Sequence, residues 1–388
     1  MTKPVLFTPI ALREVKLRNR IAISPMCQYS AKDGVANDWH FAHLARFALG
    51  GAGLIFVEAT AVRREGRITH GDLGLWEDAQ IAPLRRIAEF LKAEGAVPAI
   101  QLGHAGRKAS MQRPWHGNGP LDANDRTRGE EVWPIVAPSP LPMDEGWLVP
   151  HALDRGEMAT LREDFRRATL RAVDAGFEAV EIHGAHGYLL QSFLSPIGNR
   201  RNDAYGGDRA GRMRFPLEVV ETVRAAWPKE RPLFFRVSAV DGLEGGWTLD
   251  DTVALAQELK ARGIDVVDCS SGGIAGSATA ARIPRSPGFQ LPFAERVRRE
   301  AGIKTMAVGL ILEAHQAEAA LEAGQADLIA IGREALYDPN WPLHAERALT
   351  GEAGMFDFSH WPVQAGWWLE RRERGLRVAH EPSGQRRF

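Results

Sequence analysis

The chain predicts an α/β fold, a closed (β/α)8 TIM barrel, on three observations. Eight short apolar runs of strand length recur along it, each followed by a longer segment with helical spacing. Most of the runs are continuous rather than alternating, as in parallel strands covered on both faces. Polar and small residues gather where the runs end, which is where such barrels do chemistry. The strands are read at 21–24, 54–58, 97–102, 179–183, 233–238, 266–270, 305–309 and 327–332.

The segments between them read as helices. Over 158–175, Leu161, Phe165, Ala168, Leu170, Ala172 and Val173 lie close to one face, and Gly176 stops the helix. Thr248 reads as an N-cap with Asp251 at the third helical position, and Gly263 ends that helix. A further helix over 313–323 stops at Gly324. An open doubly wound sheet is the alternative, but no Gly-x-Gly-x-x-Gly follows an early strand. We read 1–388 as a single domain. Residues 104–150, rich in Pro, Gly, Trp and Asn, follow the third strand and predict a long excursion capping the barrel. The tail, 361–388, carries Trp367, Trp368 and many arginines and is expected to dock on its own barrel or on a neighbouring subunit.

Composition narrows the function classes. A net charge of −1 gives no electrostatic case for nucleic acid or an anionic membrane as partner. Two cysteines, Cys27 and Cys269, are too few for a disulfide scaffold, a four-cysteine zinc site or an iron–sulfur cluster, and suggest a reducing, cytoplasmic setting. The first residues carry no signal-peptide pattern, and no apolar stretch approaches a membrane span.

The strand ends hold the chemistry. The fourth run enters His183-Gly184-Ala185-His186-Gly187-Tyr188, three proton-handling side chains at one point of the rim. They could polarise a carbonyl and protonate its product, or supply half of a metal site as in barrel hydrolases. Neither Glu58 nor Asp268 clearly completes a metal set, so no metal is assigned. Around the rim stand Pro25-Met26-Cys27-Gln28-Tyr29, Glu58-Ala59-Thr60, Gln101, Arg236, Ser270-Ser271-Gly272-Gly273, Gly309 and Gly332-Arg333. Glycines at the last two strand ends suit a phosphate. The layout fits a phosphorylated aromatic cofactor.

With these motifs in order, the chain resembles the old yellow enzyme family, in its bacterial branch of xenobiotic reductases and small ene-reductases. The resemblance rests on Ser24-Pro25-Met26-Cys27-Gln28-Tyr29, Gln101-Leu102-Gly103-His104-Ala105-Gly106-Arg107-Lys108, His183-Gly184-Ala185-His186-Gly187-Tyr188-Leu189, Asp203-Ala204-Tyr205-Gly206-Gly207 and Gly332-Arg333-Glu334, with further short matches across the chain. It implies an NAD(P)H-dependent flavin ene-reductase of NADPH dehydrogenase type, with non-covalent FMN and NADPH or NADH as hydride donor. The substrate would be a small α,β-unsaturated carbonyl compound, or a related electrophile such as a nitro compound. By the resemblance, Ser24, Pro25, Met26, Cys27, Ala59, Gln101, Arg236, Gly309, Gly332 and Arg333 contact the flavin. His183 and His186 hold the substrate oxygen, Tyr29 adds a contact, and Tyr188 is the proton donor. Cys27 tunes the flavin, and Trp368 or Arg374 reaches an active site within a homodimer or homotetramer. Two departures stand out: Val308 replaces a tryptophan before the seventh-strand glycine, and Asp208-Arg209-Ala210-Gly211-Arg212 lacks an asparagine before the arginine.

Overall fold

The structure, a computed structural model, describes residues 3–275, 283–350 and 357–380. Eight parallel strands close into a barrel in chain order: Ile21–Ile23, Leu54–Ala61, Val97–Gly103, Ala179–Gly184, Leu233–Ser238, Val266–Ser270, Lys304–Ala307 and Leu328–Ile331. Helices lie between consecutive strands, so the fold is the expected (β/α)8 barrel. The fifth and sixth strands fall on the predicted residues. The second runs on to Ala61 because a register shift between Val57 and Ala59 lets Ala59, Thr60 and Ala61 pair with Gln101, Leu102 and Gly103. The seventh and eighth stop short of Gly309 and Gly332. Gly309 turns away at φ +119°, a conformation L side chains rarely adopt, and this opens the rim.

Helix boundaries follow their caps. The helix Arg155–Asp174 begins three residues earlier than the periodicity suggests, because Asp154 and Glu157 form a reciprocal capping box. Its Leu170 points to solvent, contrary to the predicted face. Thr248 and Asp251 cap Leu249–Ala261 as read from sequence, an arrangement worth about 1 kcal/mol.

The core has two layers. Inside the lower barrel, Phe56, Ala99, Phe234, Met306 and Leu328 pack together, joined by Leu12 and Leu17 of an N-terminal antiparallel hairpin (Ile10–Leu12 with Val15–Leu17). Phe56 and Phe234 meet edge to face at 5.5 Å, worth about 0.5–1.5 kcal/mol beyond burial. Above this apolar floor the interior turns polar, with Gln101, Glu181, Arg236 and Asp268. The larger apolar cluster lies between strands and helices.

Residues 104–150 contain three short 3-10 turns (Gly106–Lys108, Pro114–His116, Asp125–Arg128) and the strand Val136–Ala137, which pairs with His151–Ala152. Ala105, Ala109, Met111 and Ile135 pack with Ile68, and Cys27, Tyr29, Trp147 and Tyr188 lean on that cluster. In the tail, the helix Val363–His380 is tied to the helix Trp341–Thr350 by Arg347 to Glu373 at 3.1 Å. His360 adds a contact to Glu346 at 2.7 Å. The tail residues 381–388 lie outside the described residues. Among the described residues, no helix is long and apolar enough to cross a membrane.

Candidate active site at the barrel mouth

The fourth strand delivers His183, and the chain then turns sharply. His186 sits at φ +60° and Gly187 at φ +78°. A Cβ on Gly187 would lie 2.2 Å from the Gly273 carbonyl, so only glycine lets the turn rest against the sixth-strand loop. Ser238 Oγ accepts from the His186 amide at 3.0 Å, pinning the turn to the fifth strand. The three predicted side chains are brought together: the His183 ring lies 5.3 Å from that of His186 and 4.8 Å from that of Tyr188, centroid to centroid.

Their protonation follows from burial. Burial first, then the positive charge of Arg236, holds both imidazoles well below the ordinary histidine range, so they are neutral at pH 7. The Ala185 amide donates to His183 Nδ1 at 3.3 Å, which leaves the ring proton on Nε2. His186 Nε2 pairs with Ser270 Oγ at 2.7 Å. Burial pushes the Tyr188 phenol well up, with Cys27 and Asp72 adding to the rise, so it stays protonated. Tyr188 borders two small cavities. One of about 10 Å³ is shared with Ala59, His104 and His183, and one of about 50 Å³ with Tyr29, Lys108 and Trp147.

Lys108 is the residue sequence reasoning missed. It is buried, and its Nζ donates to the His186 carbonyl at 2.7 Å and the Gly273 carbonyl at 2.5 Å, bracing the histidine turn. Burial, then the neighbouring Arg107, lowers its pKa to about 7. The signal was its place four residues after His104, in a segment predicted to be a loop, where a lysine usually reads as solvated. The sign of its effect on stability is fixed. Between about pH 7 and the ordinary lysine value, the unfolded chain binds the extra proton, so Lys108 makes stability rise with pH there. Wild type should therefore gain stability relative to Lys108→Met on going from about pH 7 to 8.5, by at most about 1.4 kcal/mol per pH unit. Parallel denaturant curves for the two proteins would contradict this.

Cys27 and Tyr29 follow the first strand. Burial, then Asp72 and Glu58, pushes the Cys27 thiol well up. The thiolate is the reactive form, so Cys27 should resist iodoacetamide at neutral pH, as read by intact mass. Rapid stoichiometric labelling at Cys27 would show a different environment.

His186 also opens onto a cleft of about 320 Å³ that it lines with Arg236, Ser270, Val308, Gly309 and Arg333, with Arg285 as a third, unforeseen guanidinium. Several features of this mouth fit a phosphorylated flavin. Ser24 Oγ is buried without a hydrogen-bond partner. A Cβ on Gly332 would meet nothing closer than Met26 Sδ and Ser24 Cβ at 3.9 Å, so the space above that strand end is open. Gln101 donates its amide nitrogen to Glu181 at 2.7 Å, leaving its carbonyl oxygen for a ring N–H. Ala59 pairs with Gln101 in the barrel register, and Pro25 and Met26 are half-buried beside Cys27. Val308, where the resemblance would put a tryptophan, leaves the cleft wall slimmer.

Two other expectations meet the structure here. Trp368 is exposed on the tail helix and lines none of these cavities; Arg374 on the same helix pairs with Glu370. Glu58 accepts from the Gln28 amide at 3.0 Å, and Asp268 pairs with Arg236 at 3.3 Å. Among the described residues, no group of three His, Cys, Asp or Glu side chains is placed to hold a metal ion.

Comparison with known proteins agrees with this geometry. The model of the NADH:flavin oxidoreductase / NADH oxidase family matches residues 5–352. An NADPH dehydrogenase of Listeria monocytogenes serotype 4a is 44% identical over 346 residues, covering 89% of this chain and 95% of that protein. One from Geobacillus thermodenitrificans is 44% identical over 347 residues, covering 89% and 94%. Among solved structures, morphinone reductase superposes with a TM-score of 0.73 at 29% identity, covering 90% of this chain and 91% of that one. The old yellow enzyme homologue of Zymomonas mobilis gives 0.73 at 26%, covering 92% and 97%. These comparisons give the hydrolase alternative no support.

Proposed function

Since this chain belongs to the NADH:flavin oxidoreductase / NADH oxidase family, as an FMN-dependent NADPH oxidoreductase of old yellow enzyme type, we propose that it reduces the C=C bond of α,β-unsaturated carbonyl compounds. The observation that carries this reading is the cluster of neutral His183, neutral His186 and protonated Tyr188 at the barrel mouth, with His186 lining the Arg236 cleft. When bound, FMN supplies hydride transfer from the nicotinamide donor to the β-carbon of the substrate.

The chain's own residues supply the rest. His183, through Nε2–H, and His186, through Nδ1–H with Nε2 accepting from the Ser270 hydroxyl, donate to the carbonyl oxygen, whose negative charge grows as the β-carbon is attacked; one such donor is worth about 10²–10³ in rate. Neutral imidazoles suit this role, because they stabilise charge without protonating the oxygen first. Tyr188 gives its phenolic proton to the α-carbon and recovers one from solvent, so each turnover consumes one proton besides the hydride. Lys108 holds the His186 backbone while this happens.

Gln101 and Arg236 hold the pyrimidine end of the flavin. Ser24, Pro25, Met26, Cys27 and Ala59 lie against its ring system, and Gly309, Gly332 and Arg333 take the phosphate. Tyr29 and the capping excursion close the substrate side and exclude water. Trp368, exposed on the tail, reaches the site of a second copy in a homodimer or homotetramer. Two free cysteines without a disulfide suit a reducing cytoplasm. That morphinone reductase is solved in complex with tetrahydroNAD supports a nicotinamide donor here.

The test is anaerobic turnover of 2-cyclohexenone with NADPH. Cyclohexanone should form mole for mole with NADPH consumed. NADPH oxidation without ketone product would overturn the substrate assignment.

A further inference from the structure

Beneath the flavin seat, four polar side chains occupy consecutive strands: Gln101 on the third, Glu181 on the fourth, Arg236 on the fifth and Asp268 on the sixth. All are buried, Glu181 and Asp268 completely. Gln101 donates to Glu181 Oε1 at 2.7 Å, and Arg236 Nε lies 3.3 Å from Asp268 Oδ2. Read as ionised carboxylates, Glu181 Oε2 and Asp268 Oδ1 have no donor, and Asp268 Oδ2 has only its ion pair with Arg236 Nε. Two carboxylates and one guanidinium would also leave a net negative charge sealed above the apolar floor of Phe234 and Met306, which is costly in a low dielectric. One proton removes both problems.

We infer that Glu181 and Asp268 are a proton-sharing pair that positions Arg236 and Gln101: the neutral acid Glu181 accepts from Gln101 through Oε1 and donates through Oε2 to Asp268, the fixed counter-ion of Arg236. Burial raises both acids, each favouring a proton, and the shared hydrogen bond leaves that proton on Glu181. The pair acts on the flavin only through its neighbours. Glu181 commits the Gln101 nitrogen, so the carbonyl oxygen is the end that meets the flavin. Asp268 offsets part of the Arg236 charge, and so limits how strongly that charge favours negative flavin above it.

This rests on the FMN reading, and the test separates the two. Glu181→Gln copies the neutral acid: its carbonyl can accept from Gln101 and its amide can donate to Asp268. Asp268→Asn removes the counter-charge. Midpoint potentials of bound FMN and infrared spectra of apoprotein are measured for both variants and wild type. Glu181→Gln should keep the wild-type potential. Asp268→Asn should favour the two-electron-reduced state about tenfold more, a rise of about 30 mV. The apoprotein should show a protonated-carboxyl stretch that Glu181→Gln abolishes, and this signal stands even if Asp268→Asn does not fold. An Asp268→Asn potential at the wild-type value, a Glu181→Gln potential that rises with it, or no protonated-carboxyl band would each overturn the inference. Failure to bind FMN would sink the cofactor reading and leave the infrared result intact.

Discussion

Tyr188→Phe should slow reoxidation of the enzyme by an enone about 10²–10⁴-fold, while reduction by NADPH stays nearly unchanged. The asymmetry follows from the site. Tyr188 is half-buried, with its ring against His183 and its side chain lining a cavity shared with Tyr29, Lys108 and Trp147, and desolvation keeps its proton on. Only the enone step needs that proton. Phenylalanine preserves the ring contact with His183 at 4.8 Å, so packing should survive. Anaerobic stopped-flow mixing measures both halves separately. Equal slowing of the two would assign Tyr188 a structural role.

The second large effect is at the histidines. Replacing His183 and His186 together by alanine should lower the enone step by at least about 10²–10³-fold and weaken binding of a phenolic ligand. Both imidazoles are neutral donors, so their loss removes hydrogen bonds to the oxygen without changing the charge of the cleft. The single substitutions should not add, because the rings touch and share one oxygen. His186 stands at φ +60°, where alanine is strained, so retained flavin is the check on folding. Spectral titration with a phenol that gives wild-type affinity in the double variant would remove the histidines from substrate binding.

The fold was legible because its signals are local. Continuous apolar runs between helical segments gave the eight strands, and the capping pair Thr248 and Asp251 was read directly. One error fell where non-local pairing decides: the extension of the second strand to Ala61 depends on a register shift against Gln101. The early start of Arg155–Asp174 was a local signal passed over, because its cap, Asp154, precedes the apolar pattern. The histidine–tyrosine cluster was visible because its members are near in sequence. Lys108 was not, because its partners, the carbonyls of His186 and Gly273, are 78 and 165 residues away and carry no side-chain signature. The partners of Glu181 and Asp268 were hidden for a related reason. Each acid sits in an otherwise apolar strand, and only barrel closure shows that Gln101 and Arg236 stand beside them.

If this barrel passes reducing equivalents from NADPH through FMN to an activated C=C bond beside His183, His186 and Tyr188, the two half-reactions can be watched in turn. The most direct measurement is an anaerobic two-stage stopped-flow experiment on the FMN-loaded protein. NADPH should bleach the flavin absorbance, and 2-cyclohexenone should restore it with a rate that saturates in enone and collapses in Tyr188→Phe. Flavin that NADPH bleaches but the enone fails to restore would contradict the account.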